Sequence, residues 1–294
     1  MRWLRGSVKP SFAEDLTDRA TVRRVLAEYG VRPSKRLGQN FLVSPRALRT
    51  IAETVAAVGP KHVVEIGPGL GTVTRELVRV CSNVVAIEID RRLVEWLRRT
   101  LADVDSICVV CQDVLEFPFE RADGVRVFVV GNVPYSLTAP ILVHLVRHRD
   151  AIDGALLLTQ TEVAQKVMAS PGPGGSALGV TVRAYADTEK VAVVKRGGFE
   201  PIPDVDSMLW KVSFLPHARF GSSEEAFFAV VRTIYGARRK MLRSALRALV
   251  EPENVPLVLD RAQVDGRVRG ETLAFEALDR LAAAVGEVQT GKPS

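Results

Sequence analysis

Cysteine is scarce in this chain. Three thiols in 294 residues, Cys81, Cys108 and Cys111, cannot build a disulfide framework, and their odd number fits a reducing compartment. Cys108 and Cys111 have C-x-x-C spacing, but no second pair or nearby histidine completes a zinc set. Set three positions apart in an apolar β-like run, they are expected on opposite strand faces as buried core thiols. Histidine is nearly as rare, with four in all. His144 and His148 stand at i, i+4 of an expected helix, a spacing that can hold a metal. No glutamate follows His144 and no third ligand suggests itself, so both are expected as exposed helix residues and no metal is expected. Long apolar runs are missing too. No stretch approaches a membrane span, and Met1-Arg2-Trp3-Leu4-Arg5-Gly6 lacks the apolar core of a signal peptide. A cytoplasmic protein without a membrane partner is therefore expected. Acidic residues are outnumbered, Asp+Glu 34 against Lys+Arg 40, and the net charge of +6 is a mild pointer to a polyanionic partner.

What remains is ordinary globular composition: 47% hydrophobic and 25% charged residues in a length that suits one large domain or two. Residues 1–33 are polar and charged, with helical character at 20–29, and read as an N-terminal arm. From residue 61 strands and helices alternate. Strands are expected at 62–66, 84–89, 107–111, 125–130 and 155–159, with helices at 72–80, 91–101, 140–147 and 162–168. The 91–101 helix is amphipathic, with Leu93, Trp96, Leu97 and Leu101 on one face. Residues 191–194 and 208–214 read as a last pair of strands, and the Gly- and Pro-rich stretch 170–176 as a mobile loop. This alternation implies an α/β fold, a parallel sheet covered on both faces with its site at the strand C-termini. The β pattern stops near residue 216. Helices at 223–235, 238–250, 256–263 and 271–285 then form a small all-helical domain, dividing the chain at 34–215 and 216–294.

The first chemistry-bearing motif is Val63-Val64-Glu65-Ile66-Gly67-Pro68-Gly69-Leu70-Gly71-Thr72, a strand, a glycine-rich turn and a helix start. Glycines let backbone pass close to a ligand. A dinucleotide fingerprint would need its third glycine where Thr72 stands. Glu65, just before the turn, would repel a pyrophosphate but attract a cationic amino group. An E-x-G-x-G turn therefore suits S-adenosylmethionine, whose ammonium and sulfonium are positive. Glu88 closes the second strand, where a carboxylate can accept from both ribose hydroxyls. Asp113 follows the third and is placed to accept from the adenine amino group.

The fourth strand runs into Gly131-Asn132-Val133-Pro134-Tyr135. Alone, this is more often a plain Asn-x-Pro turn. Beside an S-adenosylmethionine turn it reads as a holder for a flat ring bearing an amino group. Asn132 and the Val133 carbonyl can accept from the two N–H bonds, and Tyr135 can stack on the ring. Pro134 offers no N–H and fixes the backbone that aims both acceptors. Methyl transfer then needs positioning and electrostatics, with no covalent intermediate and no essential histidine.

In order along the chain, Lys35-Arg36-Leu37-Gly38-Gln39-Asn40-Phe41-Leu42, the glycine turn, Glu88-Ile89-Asp90 and Gln112-Asp113-Val114-Leu115 precede Asn132-Val133-Pro134-Tyr135. Glu162-Val163-Ala164-Gln165-Lys166, Phe199-Glu200-Pro201-Ile202-Pro203-Asp204-Val205-Asp206-Ser207 and Arg238-Arg239-Lys240-Met241-Leu242 follow. With these blocks the chain closely resembles the small-subunit ribosomal RNA adenine N6,N6-dimethyltransferases, the kasugamycin-sensitivity methyltransferase family.

The resemblance implies a Rossmann-like class I methyltransferase sheet and S-adenosyl-L-methionine as cofactor. It implies dimethylation at N6 of two adjacent adenosines in a hairpin near the 3′ end of small-subunit RNA during ribosome biogenesis. Gln39, Asn40 and Leu42 would close over a cofactor lined by Glu65, Gly67, Gly69, Gly71, Glu88, Asp113 and Asn132. Phe199 would sandwich the target adenine against Tyr135. The basic residues Lys35, Arg36, Arg238, Arg239, Lys240, Arg243 and Arg247 would bind RNA. The last five are expected on one helix, where 239, 243 and 247 share a face. The enzyme is expected to act as a monomer on the pre-small ribosomal subunit. Asp204 and Thr161 stand where the family usually has basic residues, which weakens phosphate attraction at those two points. Two other readings stay open: a large-subunit RNA adenine N6-methyltransferase, and a non-catalytic assembly or RNA-binding factor on the same fold.

Overall fold

Val-Val-Glu-Ile, Val-Val-Ala-Ile-Glu and Val-Phe-Val-Val-Gly-Asn, runs of mostly β-branched and apolar residues, form central strands of a seven-stranded sheet. The computed structural model describes residues 13–33, 39–169, 171–172 and 174–290; Lys35, Arg36 and the Tyr135 side chain lie outside the described residues. Nine strands occur among them. These are β1 (Phe41–Leu42), β2 (Val63–Ile66), β3 (Val84–Glu88), β4 (Ile107–Cys111), β5 (Val127–Asn132) and β6 (Ile152–Gln160), then β7 (Ala186–Val194), β8 (Phe199–Glu200) and β9 (Ser207–Phe214). The sheet runs β4-β3-β2-β5-β6-β9-β7, and β1 and β8 form a separate antiparallel ribbon. From β4 to β6 neighbours are parallel, and β9 lies antiparallel to β6. Chain order reverses between β2 and β5, the topological switch point where open α/β sheets bind ligands.

Contacts divide the described chain into two units. The first runs to Ala164 and resumes at Thr188–Phe214; the second joins Gln165–Asp187 to the residues from Leu215 onward. This differs from the division read from the sequence, which gave all of 34–215 to one domain. It differs also for the arm. Helix α1 (Arg19–Glu28) is part of the first unit's core, with Val22 and Val25 fully buried and Leu26 at 4% exposure beside Leu70, Leu93 and Leu97. Each such burial contributes on the order of 2 kcal/mol. Asp18 caps this helix by accepting from Thr21 N at 2.8 Å.

In the first unit, α2 (Pro45–Val58) precedes β2, α3 (Thr72–Val80) links β2 to β3, α4 (Arg91–Thr100) links β3 to β4, and α5 (Thr138–Arg147) links β5 to β6. The expected apolar face of α4 is present: Leu93, Trp96, Leu97 and Leu101 are all buried. Two expectations fail here. Cys108 and Cys111 are exposed rather than core thiols, because β4 is an edge strand covered on one side only; Cys81 alone is buried. His144 and His148 are half-buried rather than exposed. Their rings lie 4.4 Å apart and each packs on Phe119, while His144 Nε2 sits 3.0 Å from the Phe117 carbonyl. Burial lowers the proton affinity of His144, with the Phe117 carbonyl working against that shift.

Helix α6 (Thr161–Met168) passes from the first unit into the second, which holds α7 (Ala177–Tyr185), α8 (Glu224–Gly236), α9 (Leu242–Ala245), α10 (Val255–Ala262) and α11 (Phe275–Thr290). Phe227, Val230 and Ile234 of α8 pack with Leu278, Leu281 and Val285 of α11, all nearly or fully buried. The single helix expected at 238–250 does not form. Met241 is extended and bridges to Arg269, and Leu242 N donates to the Val268 carbonyl at 2.8 Å. These tertiary bonds take the backbone groups that a helix would need, so Arg238, Arg239 and Lys240 occupy a turn. Among the described residues no helix is long and apolar enough to cross a membrane.

Candidate active site

The C-terminal ends of β2, β3, β4 and β5 open into a cleft of about 1030 Å³, part of it continuous with solvent. Gln39, Asn40, Leu42, Glu65, Gly67, Gly69, Glu88, Asp113, Asn132 and Pro134 all line it, so nearly every expected cofactor residue converges here. The turn after β2 takes φ of +63°, +60° and +89° at Gly67, Gly69 and Gly71, a left-handed conformation that side chains disfavour. A Cβ at Gly69 would stand 3.0 Å from the Phe41 ring. Gly71 does not line the cleft. It is the N-cap of α3, and a Cβ there would lie 2.8 Å from Leu97 Cδ2, so packing against α4 also requires a glycine at this position. Trp96 Nε1 donates to the Leu70 carbonyl at 2.9 Å and fastens the turn to α4.

Two buried carboxylates face this space. Glu65 is 2% exposed and its Oε2 has no hydrogen-bond partner among the described residues. Burial pushes its carboxyl up to about 8, with Thr74 offsetting part of the rise and the Glu88 charge adding to it. Glu88, 6% exposed, is also raised by burial. It accepts from Gly69 N at 3.1 Å and from Ile89 and Asp90 N at 2.9 and 3.0 Å, so it builds the turn as well as facing the ligand space. Asp113 caps the next turn through Oδ1, which accepts from Leu115 N at 2.9 Å. An orphaned buried carboxylate oxygen suits an ammonium group, and apolar neighbours such as Ile89, Val114 and Ile141 suit a flat base. The fit to S-adenosylmethionine is good on both counts. Sequence reasoning had Ile89, Gln112 and Val114 within its motif blocks but gave them no part in the cleft, and it missed Ile141. Ile89 and Gln112 adjoin Glu88 and Asp113, the one signal that could have found them.

At the end of β5 the Asn132 amide nitrogen donates to the Asn40 carbonyl at 2.8 Å. That bond sets the amide orientation and leaves Oδ1 as an acceptor. The Pro134 carbonyl accepts from Leu137 N at 3.0 Å and fixes the following turn. Phe199 takes a different place from the one expected. At 1% exposure it belongs to the apolar core, because its β8 backbone pairs with Leu42 and turns the ring inward; it supports the cleft wall and is not an open plate.

Among the expected RNA-binding residues, Arg239, Lys240, Arg243 and Arg247 are exposed on the second unit. They do not share one helix face, since α9 begins only at Leu242. Arg238 is exposed as well, but it also pairs with Glu271 and donates to the Gly175 carbonyl at 2.8 Å. Arg269, overlooked in the sequence, is exposed and bridges to Met241. In the first unit Asp204 is exposed, and Thr161 donates through N and Oγ1 to the Asp206 carbonyl, 3.1 Å in each case.

The strand order, the left-handed glycine turn and acids at successive strand ends define a Rossmann-like methyltransferase. Comparison with known proteins carries this further. The model of the ribosomal RNA adenine dimethylase family matches residues 31–283, and the chain belongs to that family. It is 40% identical over 274 residues to ribosomal RNA small subunit methyltransferase A of Moorella thermoacetica, covering 87% of this chain and 95% of the relative. Over 270 residues it is 34% identical to the protein of that name from Clostridioides difficile, covering 89% and 93%. Among solved structures, the 23S rRNA methyltransferase ErmE superposes with a TM-score of 0.66 at 28% identity, covering 84% of this chain and all of ErmE. A dimethyladenosine transferase from Plasmodium falciparum gives 0.70 at 23% identity, covering 82% and 95%, a likeness of fold.

Proposed function

We propose that this protein uses S-adenosylmethionine to dimethylate N6 of two adjacent adenosines in a hairpin near the 3′ end of small-subunit ribosomal RNA, during ribosome biogenesis. The observation that carries the reading is the Asn132 amide, held through its nitrogen by the Asn40 carbonyl so that Oδ1 is presented as an acceptor. Adenine N6 is a weak nucleophile because its lone pair is delocalised into the ring. Accepting its N–H bonds at Asn132 Oδ1 and the Val133 carbonyl favours a pyramidal nitrogen with the lone pair free. When bound, S-adenosylmethionine supplies a methyl already activated by its sulfonium. Glu65 would hold its ammonium, Glu88 its ribose hydroxyls and Asp113 its adenine amino group, while Asn132 and the Val133 carbonyl would hold the acceptor nitrogen. A target inside a helix must leave its stack to reach Asn132, which favours a loop or hairpin end.

The test is transfer from labelled cofactor to unmethylated small subunits, large subunits and naked DNA, followed by nucleoside mapping. Dimethyladenosine at paired adenines near the small-subunit RNA 3′ end is the expected result. Label confined to the large subunit would instead place the protein with the 23S-type enzymes that ErmE represents. Binding of cofactor without transfer to any substrate would favour an assembly role.

A further inference from the structure

Glu200 is a carboxylate 8% exposed in a two-residue strand, between the core residue Phe199 and Pro201. It is held by two arginines one turn apart on α1. Arg19 Nη1 lies 2.8 Å from Glu200 Oε2 and also donates to the Phe199 carbonyl at 2.7 Å, while Nη2 donates to the Gly197 carbonyl. Arg23 reaches Oε1 through Nε at 2.8 Å and Oε2 through Nη2 at 3.1 Å. Attachment of α1 does not require these bonds, because Val22, Val25 and Leu26 already bury its apolar face. What the bonds fix is the position of β8.

Strand β8 is paired with β1, Glu200 opposite Phe41 and Phe199 opposite Leu42. Immediately before β1 stands Asn40, whose carbonyl orients the Asn132 amide. The Phe41 ring lies against Gly69 of the cofactor turn. Glu200 itself does not line the cleft. A continuous set of bonds therefore runs from α1 through Glu200 and the ribbon to the group that receives the target adenine.

We propose that Glu200, clamped by Arg19 and Arg23, is a positioning residue for methyl transfer: it holds the β1–β8 ribbon so that the Asn40 carbonyl sets the Asn132 acceptor. The proposal rests on the reading of Asn132 given above. With the carboxylate buried but Arg23 largely exposed, these ion pairs contribute little net stability, yet they have a strong directional preference through the planar guanidinium forks.

The experiment compares Glu200→Ala, Glu200→Gln and the double variant Arg19→Gln/Arg23→Gln in the full chain, each checked for folding by circular dichroism. Single-turnover methyl transfer is measured at saturating RNA and cofactor, beside cofactor affinity and the RNA KM. Glu200→Ala is expected to slow the transfer step about tenfold, the scale of a modest misplacement, with the RNA KM changed less than about twofold. Glu200→Gln, which keeps the volume, covers the case in which the alanine variant does not fold, and the double arginine variant, which removes both partners of the carboxylate, is expected to slow transfer to a similar extent. Glu200→Ala placed on Asn132→Ala is expected to cost nothing further, since both act through one amide. A lower melting temperature with an unchanged transfer rate would overturn the proposal, as would losses that add in the double variant. Near-normal transfer by Asn132→Ala alone would instead remove the reading on which the proposal rests.

Discussion

Glu65 shows how one side chain can prepare a site for a cation. With its carboxyl raised to about 8 by burial, the neutral acid predominates at pH 7 before any ligand arrives. An incoming ammonium favours the carboxylate, so binding must expel a proton. S-adenosylmethionine affinity is expected to rise with pH toward about 8 and to fall above it, where the ligand's own ammonium loses its proton. Titration calorimetry in buffers of different ionisation enthalpy measures that proton directly, and Glu65→Gln should remove it while weakening binding. The ligand-free protein should show the matching stability effect. A carboxyl whose folded value lies above its ordinary 4.5 holds more protons folded than unfolded between there and about 8. Stability therefore falls as pH rises through that window, by at most about 1.4 kcal/mol per unit, and Glu65→Gln should flatten the slope. At the neighbouring strand end, Asn132→Ala should cut methyl transfer at least ~10²-fold, the cost of losing a positioned transition-state partner. Asn132→Asp should be as poor, because a carboxylate cannot donate to the Asn40 carbonyl.

Strands β2, β3 and β5 were readable because both sheet faces are covered and most positions hold a β-branched or apolar residue. Helix α4 was readable from its stripe of Leu93, Trp96, Leu97 and Leu101. Other elements are decided by partners remote in sequence. The β1–β8 ribbon has two residues a strand and no periodicity to detect, yet it closes the cleft. The 238–250 stretch has a helical composition, but Val268 and Arg269 capture its backbone at Met241 and Leu242. Cys108 and Cys111 sit in an apolar run whose edge position only the strand order reveals. At Gly71 a packing constraint that no local pattern shows comes from Leu97, which a side chain there would strike. Gly71→Ala should destabilise the protein by about 2–4 kcal/mol through a left-handed φ and an overpacked contact. Chemical denaturation would measure that loss; a change below about 1 kcal/mol would show that α4 yields easily.

The division of labour between the two units was legible in outline, as an α/β part followed by helices. Its discontinuity was not, because nothing local tells that 165–187 folds with helices that come after residue 215. Charge follows the same lesson. Of the exposed basic residues around 238–247, Arg238 is tied to Glu271 and Gly175, whereas Arg239, Lys240, Arg243 and Arg247 are joined on the surface by Arg269. Reversing Arg243 and Arg247 to glutamate should weaken RNA binding and make its logarithmic salt dependence shallower by roughly 1.5, with cofactor binding unchanged. Affinity measured across a salt series decides this. Arg238→Ala should act on the melting of the helical unit rather than on the salt slope.

The exposed thiol at the end of β4 has a practical use. Cys111 lies two positions before Asp113, a wall of the cleft, while Cys81 is sealed in the core. With Cys108 changed to serine, a maleimide dye would attach at this natural position without any introduced cysteine. Its emission would then follow the filling and emptying of the neighbouring cleft in real time.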